Sequence, residues 1–196
     1  MYPKIPELYT IAAMMYEEKG KINKAARLRE IGAELSEPDG GRWAKIGDLY
    51  FESKYYEQAA YCYGRALKSD QHNVNLMCCR AEAYELSSQN KKAIMMYERI
   101  LKFNQDPTII KKCAKLYCLN FQYDKARDVL RKCPTPNILI TYFICETYLK
   151  QHSYKEILEE IETSILSKMQ DFSKLPTEML SLMMISCFKL KVKESE

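Results

Sequence analysis

The sequence predicts an all-α protein whose helices pair into hairpins and whose hairpins stack on one another. Three observations predict this class: few helix-breaking residues, a fixed repeat of similar positions, and helical spacing of apolar side chains. Of the 196 residues, 6 are Gly and 7 are Pro, so most of the chain is free to be helical. Hydrophobic residues make up 47% and charged residues 29%, a balance typical of a folded protein.

Similar residues recur with a period of 34. Tyr16, Tyr50 and Tyr84 are separated by this step, and two classes of small residue share it. Such a period indicates a repeat architecture in which each unit is one supersecondary element. The positions that follow the step, with one residue lost before the fourth repeat, are Ala13, Gly47, Ala81 and Ala114; Tyr16, Tyr50, Tyr84 and Tyr117; and Ala25, Ala59, Ala93 and Ala126.

The second repeat shows the helical spacing most clearly. Each of its halves carries an apolar stripe at helical spacing, which predicts two amphipathic helices joined by the polar turn at 52–55. Gly47 and Ala59 allow these helices to approach closely. Because one hairpin cannot bury its own stripe, we expect its neighbours to stack on it. The two stripes are Trp43, Ile46, Gly47 and Tyr50, and Tyr56, Ala59, Tyr63 and Ala66.

This arrangement resembles the tetratricopeptide repeat (TPR), whose pattern is W-x2-L-G-x2-Y followed by A-x3-F and A. Tyr63 and Tyr97 hold the second aromatic position in the second and third repeats, whereas the first repeat has Arg29 there. The resemblance implies a right-handed superhelix of helix-turn-helix repeats, an α-solenoid, over 6–166. The predicted repeats are 6–39, 40–73, 74–107, 107–137 and 138–170.

The segment 176–196 is predicted to form one further helix, Glu178–Leu190. Its apolar set is Leu182, Ile185 and Leu190, and it is rich in Met and Leu, unlike the polar outer face of a capping helix. We therefore expect half of a repeat from an array that is longer than this chain. A terminal cap is the alternative.

In an array of this kind the first helix of each repeat lines a concave groove and the second helix faces outward. The groove positions of the first three repeats are mostly acidic, and the second helices are mostly basic, which predicts binding of a basic segment with apolar anchors. Ordinary solvated helix faces are the alternative interpretation. The predicted groove residues are Glu17, Glu18, Asp48, Phe51, Glu52, Glu82, Glu85, Lys111 and Lys115. The predicted basic outer wall is Lys24, Arg27, Arg29, Arg65, Lys68, Lys91, Lys92, Arg99, Lys102, Lys125, Arg127, Arg131 and Lys132.

No motif for catalysis or cofactor binding is found: the sequence has no Gly-rich phosphate loop, no Gly-x-Ser-x-Gly and no His-Glu-x-x-His. The eight cysteines include no Cys-x-x-Cys pair, and His72 and His152 lie in predicted turns. We therefore predict a protein that is not an enzyme, holds no metal or cofactor, and keeps its thiols reduced inside a cell.

Other classes of partner are also disfavoured. A net charge of +4 without a concentrated basic patch predicts at most weak or indirect DNA contact. The absence of a long apolar stretch or signal segment predicts no membrane association. Some tetratricopeptide proteins clamp the acidic tail of a chaperone with Lys, Asn and Arg, but the matching positions here are Thr10, Met14, Lys45, Asn75 and Cys79.

Three strings, at 9–20, 58–67 and 80–85, resemble the tetratricopeptide subunits of transcription factor IIIC (TFIIIC) beyond the repeat consensus. The resemblance covers 7–132 and implies a fragment of the first repeat array of such a subunit. It implies a nuclear protein of RNA polymerase III initiation that assembles transcription factor IIIB (TFIIIB). The partners would be basic segments of TFIIIB and other TFIIIC subunits. A generic adaptor in cell division, trafficking or RNA processing is the alternative. A third possibility, an RNA-binding repeat, would need basic and aromatic residues in the groove, where this sequence mostly places acidic ones.

Overall fold

The computed structural model describes residues 5–134, 138–165 and 176–194. Within these ranges the chain forms eleven α-helices and no β-strand, which confirms the predicted all-α fold of helix-turn-helix repeats. The helices are α1 (Pro6–Glu18), α2 (Ile22–Leu35), α3 (Gly40–Glu52), α4 (Tyr56–Ser69), α5 (Val74–Leu86), α6 (Asn90–Leu101), α7 (Pro107–Leu119), α8 (Tyr123–Arg131), α9 (Ile138–Lys150), α10 (Tyr154–Ser164) and α11 (Thr177–Glu194).

The chain divides into two compact units. Unit 1 ends at Lys102 and holds α1 to α6, and unit 2 begins at Phe103 and holds α7 to α11. Within each unit the main contacts join helices that follow one another in the chain. Stacking of neighbours therefore buries the apolar stripes, as the repeat period predicts.

The five odd-numbered helices from α1 to α9 end in the same way. Each turn to the next helix contains one residue in the left-handed conformation, and the following backbone N–H donates to the carbonyl of the repeat tyrosine, for example from Tyr55 to Tyr50 at 2.8 Å. This is a Schellman cap, which satisfies carbonyls that a helix end leaves without partners. The left-handed residues are Gly20, Lys54, Ser88, Phe121 and His152.

Side-chain caps mark where three repeats begin. The carboxylate of Asp39 accepts the backbone N–H of Gly41 at 2.9 Å, and Asp106 caps α7 through Thr108 at 2.7 Å. Asn73 caps α5 in the same manner. Asp and Asn are preferred at this position because their oxygens satisfy exposed N–H groups of the first turn. These caps set the junctions between successive hairpins.

Helix α11 packs on α10 through one narrow stripe. Met179 and Leu182 are buried against Ile157 and Ile161. The prediction that Ile185 belongs to this stripe is wrong, because the buried positions are Met179, Leu182 and Ser186 and Ile185 lies beside them on the exposed side. Exposed apolar side chains of this helix are Leu180, Met184, Ile185 and Phe188.

Candidate protein-binding surface

The repeat positions form the scaffold on which the surface is built. Trp43, Tyr50 and Tyr63 are buried in the core of unit 1, together with Gly47 from the neighbouring turn of α3. Tyr16 and Tyr84 are half-buried, and a cationic side chain of the following helix lies over each ring, Lys24 at 5.9 Å and Lys92 at 5.5 Å from the ring centre. The remaining positions of the pattern are buried: Ala13, Ala25, Ala59, Ala81, Ala93, Tyr97, Ala114, Tyr117 and Ala126.

A polar contact joins the two helices of the first and third hairpins at equivalent positions. In the first hairpin, Arg29 forms two hydrogen bonds with Glu17, at 2.7 and 2.9 Å. In the third, the hydroxyl of Tyr97 donates to Glu85 at 2.9 Å. Arg29 in the first hairpin therefore has the same role as Tyr97 in the third: each extends from the second helix and donates to a carboxylate near the end of the first helix.

In the second hairpin the polar contact between the two helices is made by different positions. Phe51 stands at the position of Glu17 and Glu85 and cannot accept a hydrogen bond, and its ring packs edge-on against Tyr56 with ring centres 5.4 Å apart. The hydroxyl of Tyr63 instead donates to Asp48, one turn earlier, at 2.8 Å. A β-carbon added at Gly47 would lie 2.7 Å from the Tyr63 ring, so glycine makes room for this arrangement.

These contacts divide the predicted groove acids into those bonded within their own hairpin and those that are not. Glu17, Asp48 and Glu85 are each committed to a partner on the second helix of their own hairpin. Glu18 and Glu52 are exposed at the ends of α1 and α3, and Glu82 is half-buried. Among the predicted groove acids of unit 1, Glu18 and Glu52 are therefore the most open to a partner, and their role in binding stays a prediction.

A cavity of about 440 Å³ lies between α1, α2 and α3 in unit 1. Its charged lining is mostly cationic and comes from Arg29, Arg42 and Lys45, with Glu7 as the carboxylate. Arg29 and Arg42 are paired with Glu17 and Asp39, so this part of unit 1 is close to neutral in charge and not acidic. The predicted groove acids lie near the carboxyl ends of α1 and α3, whereas Arg42 and Lys45 line the cavity at the amino end of α3.

A second cavity, also of about 440 Å³, lies between α7 and α9 in unit 2. It brings the two predicted groove lysines, Lys111 and Lys115, onto one wall. We call it the lysine groove and define it by Lys111, Lys112, Lys115, Leu119, Phe143 and Lys150. Phe143 and Lys150, which α9 supplies, were not among the predicted groove residues.

The predicted basic outer wall is wrong at Arg127. This side chain is buried, with 7% of its surface exposed, and it donates to Thr147 of α9 at 3.2 Å and to Gln151 and Asp124. Its guanidinium lies 4.1 Å from the centre of the Tyr148 ring. The planar, delocalised cation can stack on an aromatic ring and fork its hydrogen bonds, so it serves as packing between α8 and α9.

The described residues give little support for metal binding, thiol chemistry or a membrane span. They contain no cluster of three or more His, Cys, Asp or Glu side chains placed to bind a metal ion. Burial raises the pKa of the Cys62 and Cys145 thiols to about 12, so neither is a nucleophilic thiolate near neutral pH. None of the described helices is both long and apolar enough to cross a bilayer.

Comparison with known proteins finds sequence similarity to subunits of transcription factors and of the anaphase-promoting complex. No protein-family model matches it. It is 32% identical over 99 residues to human general transcription factor 3C polypeptide 3, covering 50% of this chain and 11% of that protein. It is 23% identical over 121 residues to the transcription factor tau 131 kDa subunit of Saccharomyces cerevisiae, covering 61% and 12%. The anaphase-promoting complex subunit 3 of Schizosaccharomyces pombe is 27% identical over 118 residues, covering 59% and 18%.

Solved structures share the fold at low identity. A structure of Naa15/Naa10 bound to HypK-THB superposes with a TM-score of 0.75 and 18% identity, covering 98% of this chain and 30% of that one. YrrB, described as a TPR protein with an unusual peptide-binding site, gives a TM-score of 0.56 and 16% identity, covering 82% and 84%. The fold is therefore that of tetratricopeptide repeats. The chain spans between a tenth and a fifth of the length of the curated relatives it matches.

Proposed function

We propose that this chain is a non-catalytic scaffold of the TFIIIC type, which acts in the nucleus to help assemble TFIIIB for RNA polymerase III. The observation that carries the proposal is the 32% identity to human general transcription factor 3C polypeptide 3. The similarity to the tau 131 kDa subunit of yeast supports the same assignment. Stacked helical hairpins supply a surface for other proteins, and the described residues contain no His, Cys, Asp or Glu cluster placed to hold a metal ion.

The partner of unit 1 on this proposal is a basic segment of TFIIIB or of another TFIIIC subunit. Glu18 and Glu52 occupy equivalent positions in the first and second repeats and are both exposed. Carboxylates on the exposed ends of successive helices can steer a cationic segment and speed its association. The cavity between α1 and α3, whose arginines are paired with Glu17 and Asp39, adds no acidic surface, so the acidic surface is limited to the carboxyl ends of these helices.

A binding measurement with purified TFIIIB subunits tests the proposal, comparing the parent chain with a Glu18→Lys, Glu52→Lys variant. Both carboxylates are exposed, whereas charge reversal at Glu17 or Asp48 would break the contacts with Arg29 and Tyr63. We expect binding by the parent and an affinity about tenfold lower for the variant at low salt, with a smaller difference at high salt because salt screens exposed charges.

The matched control reverses two exposed carboxylates on α10, Glu156→Lys and Glu162→Lys, which makes the same change in net charge. We expect this control to bind like the parent. Equal weakening by both variants would contradict the acidic docking surface while keeping the assignment to TFIIIB assembly. Failure of the parent to bind any TFIIIB subunit would contradict the assignment itself.

One observation favours a second candidate, an adaptor in a cell-division assembly. The 27% identity to anaphase-promoting complex subunit 3 covers more of this chain than the identity to the human transcription factor subunit does. Part of that similarity is expected of all tetratricopeptide repeats, since they share the apolar positions. Binding to reconstituted anaphase-promoting complex, with no binding to TFIIIB, would favour this adaptor function.

A further inference from the structure

The lysine groove combines positive charge with an apolar floor. Four lysines and one glutamate, Glu146, provide its charged lining. Glu146 is paired with Lys150 at 3.1 Å and so does not balance the other lysines. The lysines that Glu146 leaves unbalanced include Lys111 and Lys115, which lie one helical turn apart on the same face of α7.

Two of these lysines are well placed to meet an anion. Lys115 is exposed and forms no ion pair with any described residue. Lys111 is half-buried, and its ammonium group lies 5.9 Å from the centre of the Phe143 ring across the groove. A carboxylate entering here would be held between a solvated ammonium group and one already partly removed from water, where a charge pair is stronger.

The apolar part of the groove is open. Leu119 is 56% exposed and Phe143 is 37% exposed, while Leu130 and Ala114 are buried and form the floor. Covering large apolar side chains that remain in water beside a concave surface stabilises a complex in proportion to the apolar area removed from water. The cavity of about 440 Å³ has the size of a pocket that accepts one or two large side chains.

We propose that the lysine groove binds an acidic segment of a partner protein that carries a large apolar side chain. The apolar side chain enters between Leu119 and Phe143, and flanking carboxylates pair with Lys111 and Lys115. This partner is opposite in charge to the basic segment proposed for unit 1. The inference rests on unit 2 alone and does not depend on TFIIIB assembly.

Nucleic acid fits the groove less well. Phosphate backbones are bound by lysines spread over an extended face, and single strands by several aromatic rings on which bases stack. In the lysine groove the cations surround a small apolar cavity, and Phe143 supplies the aromatic ring. A phosphate chain would leave Leu119 and the floor uncovered, whereas an acidic peptide with an apolar anchor covers both.

Fluorescence anisotropy with short synthetic peptides tests this inference on the full chain. The probe is a labelled peptide of aspartate and glutamate with two central phenylalanines. Comparison peptides replace the phenylalanines with serine or the acidic residues with lysine, and a single-stranded oligonucleotide of similar length is the polyanion control. We expect the first probe to bind at least about tenfold more tightly than each of the other three, because only it matches both charge and apolar surface.

Two variants locate the binding. Lys111→Glu with Lys115→Glu should weaken binding of the acidic probe by about tenfold or more. The matched control, Lys132→Glu with Lys155→Glu, changes two exposed lysines that do not line the groove and should leave the affinity within about twofold. Phe143→Ala should weaken the phenylalanine probe and leave the serine probe unchanged. Helical circular dichroism checks that each variant is folded.

Three results would overturn the inference: no binding of the acidic phenylalanine probe, equal binding of the serine probe, or equal binding of the oligonucleotide. The last two would show a general polyanion surface. Because the TFIIIB measurement uses Glu18 and Glu52 of unit 1 and this one uses Lys111 and Lys115 of unit 2, either proposal can fail without the other.

Discussion

At the scale of single residues, the turns between paired helices depend on a left-handed residue that is seldom glycine. Gly20 has φ of 67°, and its counterparts Lys54, Ser88, Phe121 and His152 have φ between 58° and 64°. A left-handed residue other than glycine costs roughly 1 to 2 kcal/mol, because its β-carbon crowds the backbone. The Schellman hydrogen bonds offset this cost, so the turn geometry persists without glycine.

Phe121 is the position where relief of this strain should be easiest to measure. Its side chain is 80% exposed and touches Tyr123 edge-on, with ring centres 6.4 Å apart. We expect Phe121→Gly to raise the free energy of unfolding by about 0.5 to 1 kcal/mol in urea denaturation, because glycine removes the β-carbon clash and little packing is lost. Phe121→Ala keeps the β-carbon and should give no gain. A gain from alanine as large as that from glycine would contradict the strain argument.

At the scale of helices, one polar contact recurs between the members of a hairpin although its residues change. Arg29 with Glu17 and Tyr97 with Glu85 occupy equivalent positions, and Tyr63 reaches Asp48 where Phe51 has replaced the acceptor. A partly buried hydroxyl or guanidinium must find an acceptor, and each of the first three hairpins provides a carboxylate within reach. These carboxylates already accept hydrogen bonds between the two helices of a hairpin, so they are less available to a partner.

The contact between Arg29 and Glu17 should make the stability of the first hairpin depend on pH. Hydrogen bonding from Arg29 lowers the pKa of the Glu17 carboxyl below 4.5, and burial opposes this only in part. A carboxyl with a lowered folded-state pKa contributes stability above its unfolded pKa and loses it as the pH falls through the folded pKa. The contribution is therefore complete at pH 7 and disappears in the acid range below about pH 4.5.

We expect Glu17→Gln to lower the free energy of unfolding by about 1 kcal/mol at pH 7, a magnitude typical of a partly exposed, doubly hydrogen-bonded pair. The difference from the parent should shrink as the pH falls below about 4.5, through the lowered folded-state pKa of Glu17. Urea denaturation at several pH values measures it. Glu18→Gln changes the adjacent exposed carboxylate and is the control, for which no comparable loss is expected. A Glu17→Gln effect that is independent of pH would contradict the ionic origin.

The sequence predicted the fold well because its signal is carried by apolar and small residues at fixed spacing. Gly47, Trp43 and Tyr50 are buried where the pattern places them. Arg127 was misplaced because the cations of the second helices were grouped by their charge and not by their position. It is adjacent to Ala126 and three residues before Leu130, so it lies on the buried face of α8 and packs against Tyr148, while Lys125 is exposed. The lysine groove was missed for a different reason: α7 and α9 had to be brought together before Lys115 and Phe143 could form one surface.

At the scale of the whole molecule, each unit is held together by contacts between successive helices. In unit 1 the main contacts run from α1 to α2, α2 to α3 and onward to α6 in chain order. Repeat proteins of this kind behave approximately as one-dimensional arrays, in which a local defect is felt first by its neighbours. Opening of part of a unit should therefore precede unfolding of all of it.

Gly47→Ala tests this behaviour. The added methyl group would meet the Tyr63 ring at 2.7 Å, and this side chain is only 2% exposed and is held by its hydrogen bond to Asp48. Overpacking of this kind costs about 1 to 3 kcal/mol. We expect amide hydrogen exchange, followed by mass spectrometry, to show the largest loss of protection in α3 and α4, a smaller loss in α2 and α5, and little change in α6.

Gly64→Ala is the matched control. Its methyl group would meet the guanidinium of Arg80, the end of a flexible side chain that can move, so this substitution should cost less stability. An equal loss of protection from α1 to α6 would show instead that unit 1 unfolds as one cooperative body.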